Sequence, residues 1–169
     1  MTGYKTVYKW FWVWEFDKEE EWLNLMTQSG WLLDRVGFST FHFIPCKPGE
    51  FIVRLEMHRC DETYIRFMQE TGAEFIGRMA QWIYFRKKAQ DGAFDIFSDI
   101  DSRIGHLNRI GKILTAIGGA NLLIGIANSA SSASHLGFLN ILCATLLMYA
   151  LGRIHGKKEA LKKERLLLE

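Results

Sequence analysis

Between Ile113 and Arg153 the chain carries two apolar runs with no acidic or basic residue in either. The first, Ile113 to Ala130, reads ILTAIGGANLLIGIANSA; the second, Leu136 to Gly152, reads LGFLNILCATLLMYALG. Only Ser131-Ser132-Ala133-Ser134-His135 separates them. A helix of about 18–20 apolar residues is what a bilayer's hydrocarbon demands, so the pair suits a transmembrane hairpin. The competing arrangement is a buried helical hairpin inside a soluble oligomer. Flanking charge favours the membrane. Arg103, Arg109 and Lys112 precede the first run, while Arg153, Lys157, Lys158, Lys162, Lys163 and Arg165 follow the second; the loop has no Lys or Arg. Basic residues near span ends mark the cytoplasmic side, which predicts both termini in the cytoplasm and the loop outside, in an inner or plasma membrane.

The rest of the chain leaves room for one modest domain. The net charge of +2 hides an asymmetry: residues 1–100 hold 12 Lys and Arg against 15 Asp and Glu, the remainder 9 against 4. A mildly acidic soluble part argues against nucleic acid as a partner. Positive charge gathers instead where anionic lipid headgroups would lie. The opening residues MTGYKTVYKW lack the basic-then-apolar order of a cleavable signal, so the hairpin is expected to direct insertion. Three cysteines, at 46, 60 and 143, form no CxxC pair, which fits a reducing compartment.

Periodicity fills in the domain. Val7 to Phe16, VYKWFWVWEF, reads as a strand with Tyr8, Trp10, Trp12, Trp14 and Phe16 on one face and Lys9, Phe11, Val13 and Glu15 on the other. Asp17, Glu19, Glu20 and Glu21 open a helix, where acids are favoured and usually just solvated. Trp22, Leu23, Leu25 and Met26 are its apolar stripe, and Gly30 its stop. Strands follow over 31–36, 38–44 and 51–57, with a Lys47-Pro48-Gly49-Glu50 turn before the last. A second helix spans 61–71, stopped by Gly72, and strands at 73–79 and 81–86 complete the domain.

A shift of 42 residues superimposes much of this pattern. Trp22 falls on Tyr64, Leu23 on Ile65, Met26 on Met68, Gly30 on Gly72, Leu33 on Phe75 and Phe43 on Phe85; Phe11 meets Val53 and Val13 meets Leu55. Two strand-helix-strand-strand units explain these matches together. The expected fold is therefore α+β: duplicated units forming an antiparallel sheet with two helices. The domain occupies residues 1–90. An amphipathic juxtamembrane helix at 91–112, the hairpin at 113–154 and a basic tail at 155–169 follow it. The repeat assigns Phe11 and Val13 to the helix-packed face. It leaves Trp10, Trp12 and Trp14 beside Ile52, Arg54 and Glu56 on the other. Three tryptophans there are ordinary core, or they need cover from the sister unit, a second subunit, the juxtamembrane segment or a ligand.

The stretch YKWFWVWEFDKEEEWLNLM, the Gly30-Trp31 step, the Pro48-Gly49-Glu50 turn and FDIFSDIDSRI at 94–104 resemble the domain of unknown function 2812 family over roughly residues 7–110. These are small bacterial proteins often encoded beside PadR-type transcription regulators. The resemblance implies a regulatory setting, such as envelope or drug stress, and supplies no catalytic residues. In topology alone the duplicated units are similar to GyrI-like drug-binding domains.

Chemistry narrows further. His42, Cys46, His58 and Cys60 are zinc-type residues, but a strand of about eight residues at ~3.3 Å each separates the two pairs, so no metal is expected. Nucleophile-elbow, P-loop, dinucleotide and zincin motifs are absent, so neither an enzyme nor a cofactor is expected. Two functions remain. One is a membrane-tethered interaction module that regulates a protein partner, whether a transcription regulator, a membrane protein or a further copy in a homo-oligomer. The other is a receptor holding a hydrophobic molecule or lipophilic cation in an aromatic cleft between the repeats. Either would use Trp10, Trp12, Trp14, Glu15, Arg54 and Glu56, the acids offsetting a cation on the tryptophan faces. Within the hairpin, Asn128 and Asn140 lie at equal depth and are expected to pair, helped by close approach at Gly125.

Overall fold

The computed structural model describes residues 3–58, 61–130 and 134–168. The chain divides into two compact units, residues 1–98 and 99–169. In the first, strand β1 (Lys5–Tyr8) precedes helix α1 (Phe16–Gln28), followed by β2 (Trp31–Gly37), β3 (Thr40–Pro45) and β4 (Phe51–Met57). Helix α2 (Glu62–Glu70), β5 (Glu74–Met79) and β6 (Trp82–Lys88) complete it. The architecture is α+β, as expected, but the strands form two antiparallel sheets rather than one, ordered β1-β3-β2 and β4-β6-β5.

The repeat is visible in detail. Residues 22–45 and 64–87 follow one course, helix, glycine stop, hairpin. Gly30 and Gly72 both end their helices in the left-handed region, at φ +83° and +86°, where a Cβ would be strained. Each hairpin carries a β-bulge at the same place, between Leu33 and Arg35 and between Phe75 and Gly77. Only the first strand departs from the 42-residue shift. Val7 pairs with Phe41 and Glu56 pairs with Ile83, so β1 matches β4 at a shift of 49. The expected matches of Phe11 with Val53 and Val13 with Leu55 are therefore wrong by seven residues. Residues 9–15 are an insertion between β1 and α1 that the second repeat lacks.

Helix α1 serves both sheets. Trp22 lies against Phe41 and Phe43, with ring centroids 5.0 and 5.7 Å away, while Leu23 is fully buried. Its sequence neighbour Leu25 is exposed, so the apolar stripe is narrower than read and continues through Glu19 and Thr27. The outer edge of β4 has no strand beside it, and α1 supplies its hydrogen bonds. Asn24 Nδ2 donates to the Val53 carbonyl and Asn24 Oδ1 accepts from the Val53 amide, both at 2.9 Å; Glu20 Oε2 accepts from the Leu55 amide at 3.2 Å. The β4 sheet is covered on both faces. One carries the cluster of Met68, Ala73, Ile83, Phe85 and Phe94, with Ile52, Tyr64 and Ile96 packed on it. On the other, Tyr84 bonds Glu19 and Trp82 stacks on Phe16. Phe94 and Ile96 thus belong to the domain core, and the expected helix over 91–112 begins only at Ile100, capped by Asp99 Oδ1 on the Ser102 amide at 2.7 Å.

The second unit is two helices, α3 (Ile100–Ser129) and α4 (Ser134–Leu168). Both are long and apolar enough to cross a membrane, with mean hydropathy 1.6 in their apolar windows. Only 22% and 17% of those windows is buried, unlike the core helix of a soluble protein. The helices meet at small residues spaced by seven, Gly111, Gly118 and Gly125, a spacing that keeps one seam in contact. Leu107, Ile110 and Leu114 extend the seam, and Ala144, Ala150 and Ile154 are buried on α4. Beyond the apolar runs, Lys158 Nζ donates to Asn108 Oδ1 at 3.2 Å and Arg165 pairs with Asp101 at 2.7 Å. The basic tail is therefore the end of α4, paired with the start of α3.

Candidate functional site: an exposed aromatic ladder

Residues 9–15 contain all three tryptophans expected at a site. They do not form the strand over 7–16 that their alternation suggests, for a reason of length. The partner strand β3 begins at Thr40, opposite Tyr8, and the Lys9 amide reaches the Ser39 carbonyl at 3.1 Å as the last rung. Past the hairpin turn no backbone remains to pair with, so the chain leaves the sheet. It closes into a short 3₁₀ turn, Val13–Glu15, in which the Glu15 amide donates to the Trp12 carbonyl at 2.7 Å.

The turn lines up the aromatic rings. Trp14 stacks on Trp12 with centroids 5.0 Å apart and planes 7° from parallel. Trp12 meets Trp10 edge-on at 5.5 Å, and Trp10 meets Phe38 of the β2–β3 turn at 5.5 Å. Trp10, Trp12 and Phe38 are 52%, 45% and 73% exposed, so the ladder is a surface and not core. Phe11 points the other way, onto Trp22 and Phe41. Lys9 Nζ lies 4.9 Å from the Phe11 ring and 4.6 Å from the Trp22 ring, so a cation already sits on that inner face.

The other expected site residues are scattered. Glu15 lies beside the ladder, but Lys18 Nζ bonds its carboxylate at 2.8 Å and the Trp12 amide reaches it at 3.4 Å. Lys18 first, then that amide, hold its pKa below the usual carboxylate value. Arg54 turns to Glu20 at 3.4 Å. Glu56 is buried on the α2 side of β4, where it accepts from the Tyr64 hydroxyl; it does not share a face with the tryptophans. In the hairpin, Asn128 and Asn140 are both half-buried. The helices approach closely at Gly125, as expected, where an added Cβ would lie 3.2 Å from the Gly137 carbonyl oxygen. Cys60 and Ser131 to Ala133 lie outside the described residues. Among those described, no three His, Cys, Asp or Glu side chains are grouped as metal ligands; His42 bonds Thr6 at 3.0 Å and His58 stacks on Tyr64.

One residue was misjudged from sequence. Glu19, expected among the solvated acids at a helix start, is only 9% exposed and accepts from the Tyr84 hydroxyl at 2.6 Å. Burial pushes its carboxyl above the ordinary value, with the Tyr84 bond opposing, and burial beside Glu19 likewise keeps Tyr84 in its phenol form. Both line a small cleft of about 70 Å³ under the ladder, with Trp10, Phe11, Phe41 and Met79. The missed signal was spacing: Glu19, Leu23 and Thr27 recur every four residues, one line along the buried side of α1.

The family described as "Protein of unknown function (DUF2812)" matches residues 15–118. The chain belongs to this family. No curated protein and no solved structure matches the chain. The DUF2812 match runs from the end of the 3₁₀ turn through α1 to β6, leaving out β1, and reaches past the middle of α3. Trp10, Trp12 and Trp14, part of the stretch on which the resemblance was drawn, lie ahead of it.

Proposed function

We propose that this DUF2812 protein is a membrane-anchored docking module. The hairpin of α3 and α4 holds it in the bilayer with both termini in the cytoplasm, and the ladder Trp14–Trp12–Trp10–Phe38 engages a protein partner. The observation that carries this reading is the ladder's setting: half-exposed rings in register, on an insertion that breaks an otherwise regular repeat. Large exposed aromatic patches are costly in a solitary soluble domain, and rigid tryptophans dominate binding energy at interfaces. The outward apolar side chains of the hairpin, such as Leu123, Ile126, Phe138 and Leu139, support the anchor. The regulatory setting implied by the resemblance makes a transcription regulator or a membrane protein the partner class.

A receptor for a small molecule is the second reading, favoured by the Glu19 carboxylate at the cleft. Volume ranks it lower, because 70 Å³ falls well short of the about 300–1,000 Å³ typical of ligand pockets. The test is co-purification of the full-length protein from native membranes beside a Trp10→Ala/Trp12→Ala variant. The docking reading expects the variant to remain in the membrane and lose its partner by about tenfold or more. A partner retained in full would count against it; a small molecule recovered with the wild type and absent from a Glu19→Gln variant would favour the receptor.

A further inference from the structure

The second unit carries a cavity larger than the cleft under the ladder. An open groove of about 510 Å³ runs between α3 and α4 where the apolar runs give way to charge. Its floor is apolar, with Leu107, Leu151 and Ile154, and Gly111 and Ala116 leave it shallow in side-chain bulk. Its rim is basic: Lys112 on α3 and Lys158 and His155 on α4, with no acid in the lining. Lys112 has no carboxylate partner among the described residues, and Lys158 makes no direct ion pair there, only a weak coulombic attraction to Glu159. Lys158 is held toward the groove by Asn108 at 3.2 Å. Glu159, next along α4, bonds Lys162 at 2.9 Å and lies 3.9 Å from His155.

We infer that this groove is a binding site for the headgroup and upper acyl chain of an anionic phospholipid. Two ammonium groups, one from each helix, over an apolar trough complement a phosphate with a hydrocarbon tail, and basic pockets between spanning helices on the cytoplasmic side recognise such headgroups. Depth agrees. Lys112 directly precedes the apolar run starting at Ile113, and Lys158 follows the one ending at Gly152, which places the rim at the interface where phosphates lie. The inference rests on the proposed membrane anchor. It differs from general attraction of a basic tail in naming two lysines, one on each helix, that act together.

The test uses the full-length protein, purified in mild detergent and supplied with equal phosphatidylglycerol and phosphatidylcholine. Lipid retained on the protein is then read by native mass spectrometry. Phosphatidylglycerol should be retained at least about tenfold over phosphatidylcholine. The preference should fall about tenfold in Lys112→Gln/Lys158→Gln and survive in Lys163→Gln, on the same helix outside the groove. Lys112→Gln alone keeps the Lys158–Asn108 bond, so a partial loss there separates lipid binding from helix pairing. Glycerol phosphate should not displace the lipid, since it lacks the chain the floor receives; full displacement would assign the site to free phosphates instead. Equal retention of the two lipids, or a preference untouched by the double variant, would overturn the inference. A protein that stays soluble without detergent would instead remove the anchor on which it rests.

Discussion

Trp12 and Leu23 are both large and apolar, yet they occupy opposite environments. Leu23 is fully buried and Trp12 is 45% exposed, so truncation separates them. Leu23→Ala should cost about 2–5 kcal/mol, whereas Trp12→Ala forfeits one stack and partial burial, about 1 kcal/mol. Thermal melts of the full-length protein measure this; comparable losses would return the ladder to the core. Glu19 gives a second expectation at this scale. Its folded pKa is shifted upward by burial. The stability this confers is complete below the unfolded value of about 4.3 and is lost as pH rises through the folded value. Glu19→Gln removes that dependence while leaving the Tyr84 hydroxyl an acceptor. The melting difference, wild type minus variant, should therefore fall as pH rises from about 4 toward neutrality. Parallel melts across that range would contradict it. Sequence hid Glu19 because an acid in a helix's first turn has two comfortable explanations, the dipole and solvent. Only the position of the neighbouring sheet decides.

Among elements, those with a local cause were legible. Strand β4 (Phe51–Met57) coincides with its expected span, and Gly30 and Gly72 stop their helices as their residue type demands. The failures came where a partner decides. Residues 9–16 have every strand propensity, yet β3 is too short to pair with them; sheet formation is a property of two segments, and one sequence window shows only one. Phe94 has helical spacing with Phe97 and Ile100, but it is drawn into the domain core before the helix starts. In the hairpin, depth counting named Asn128 and Asn140 together with Gly125, and it is at Gly125 and Gly137 that the helices come closest. Gly137→Ala tests this. Its Cβ would fall 2.6 Å from the Ser129 amide nitrogen and 2.9 Å from the Gly125 carbonyl oxygen, backbone atoms that cannot step aside. Gly105→Ala meets nothing within 4 Å and should be neutral or stabilising by up to about 1 kcal/mol. Circular-dichroism melts in detergent should show a loss for the first variant alone; equal behaviour would mean the helices do not pack through this seam.

At the scale of the whole molecule, a two-repeat domain precedes a hairpin whose charged ends lie on one side. A single cysteine placed at His135 in a cysteine-free background should react with an impermeant thiol reagent from outside intact cells, and one at Glu70 only after lysis; the reverse pattern would invert the proposed topology. The docking role is tested most directly by a photo-crosslinking side chain at position 12 in the full-length protein, activated in native membranes. Phe67, 58% exposed on α2 and outside the ladder, serves as the control position. The account predicts a discrete protein adduct from position 12 that is absent from position 67 and lost when Trp10 is changed to Ala. No adduct from position 12 above the level at position 67 would contradict it.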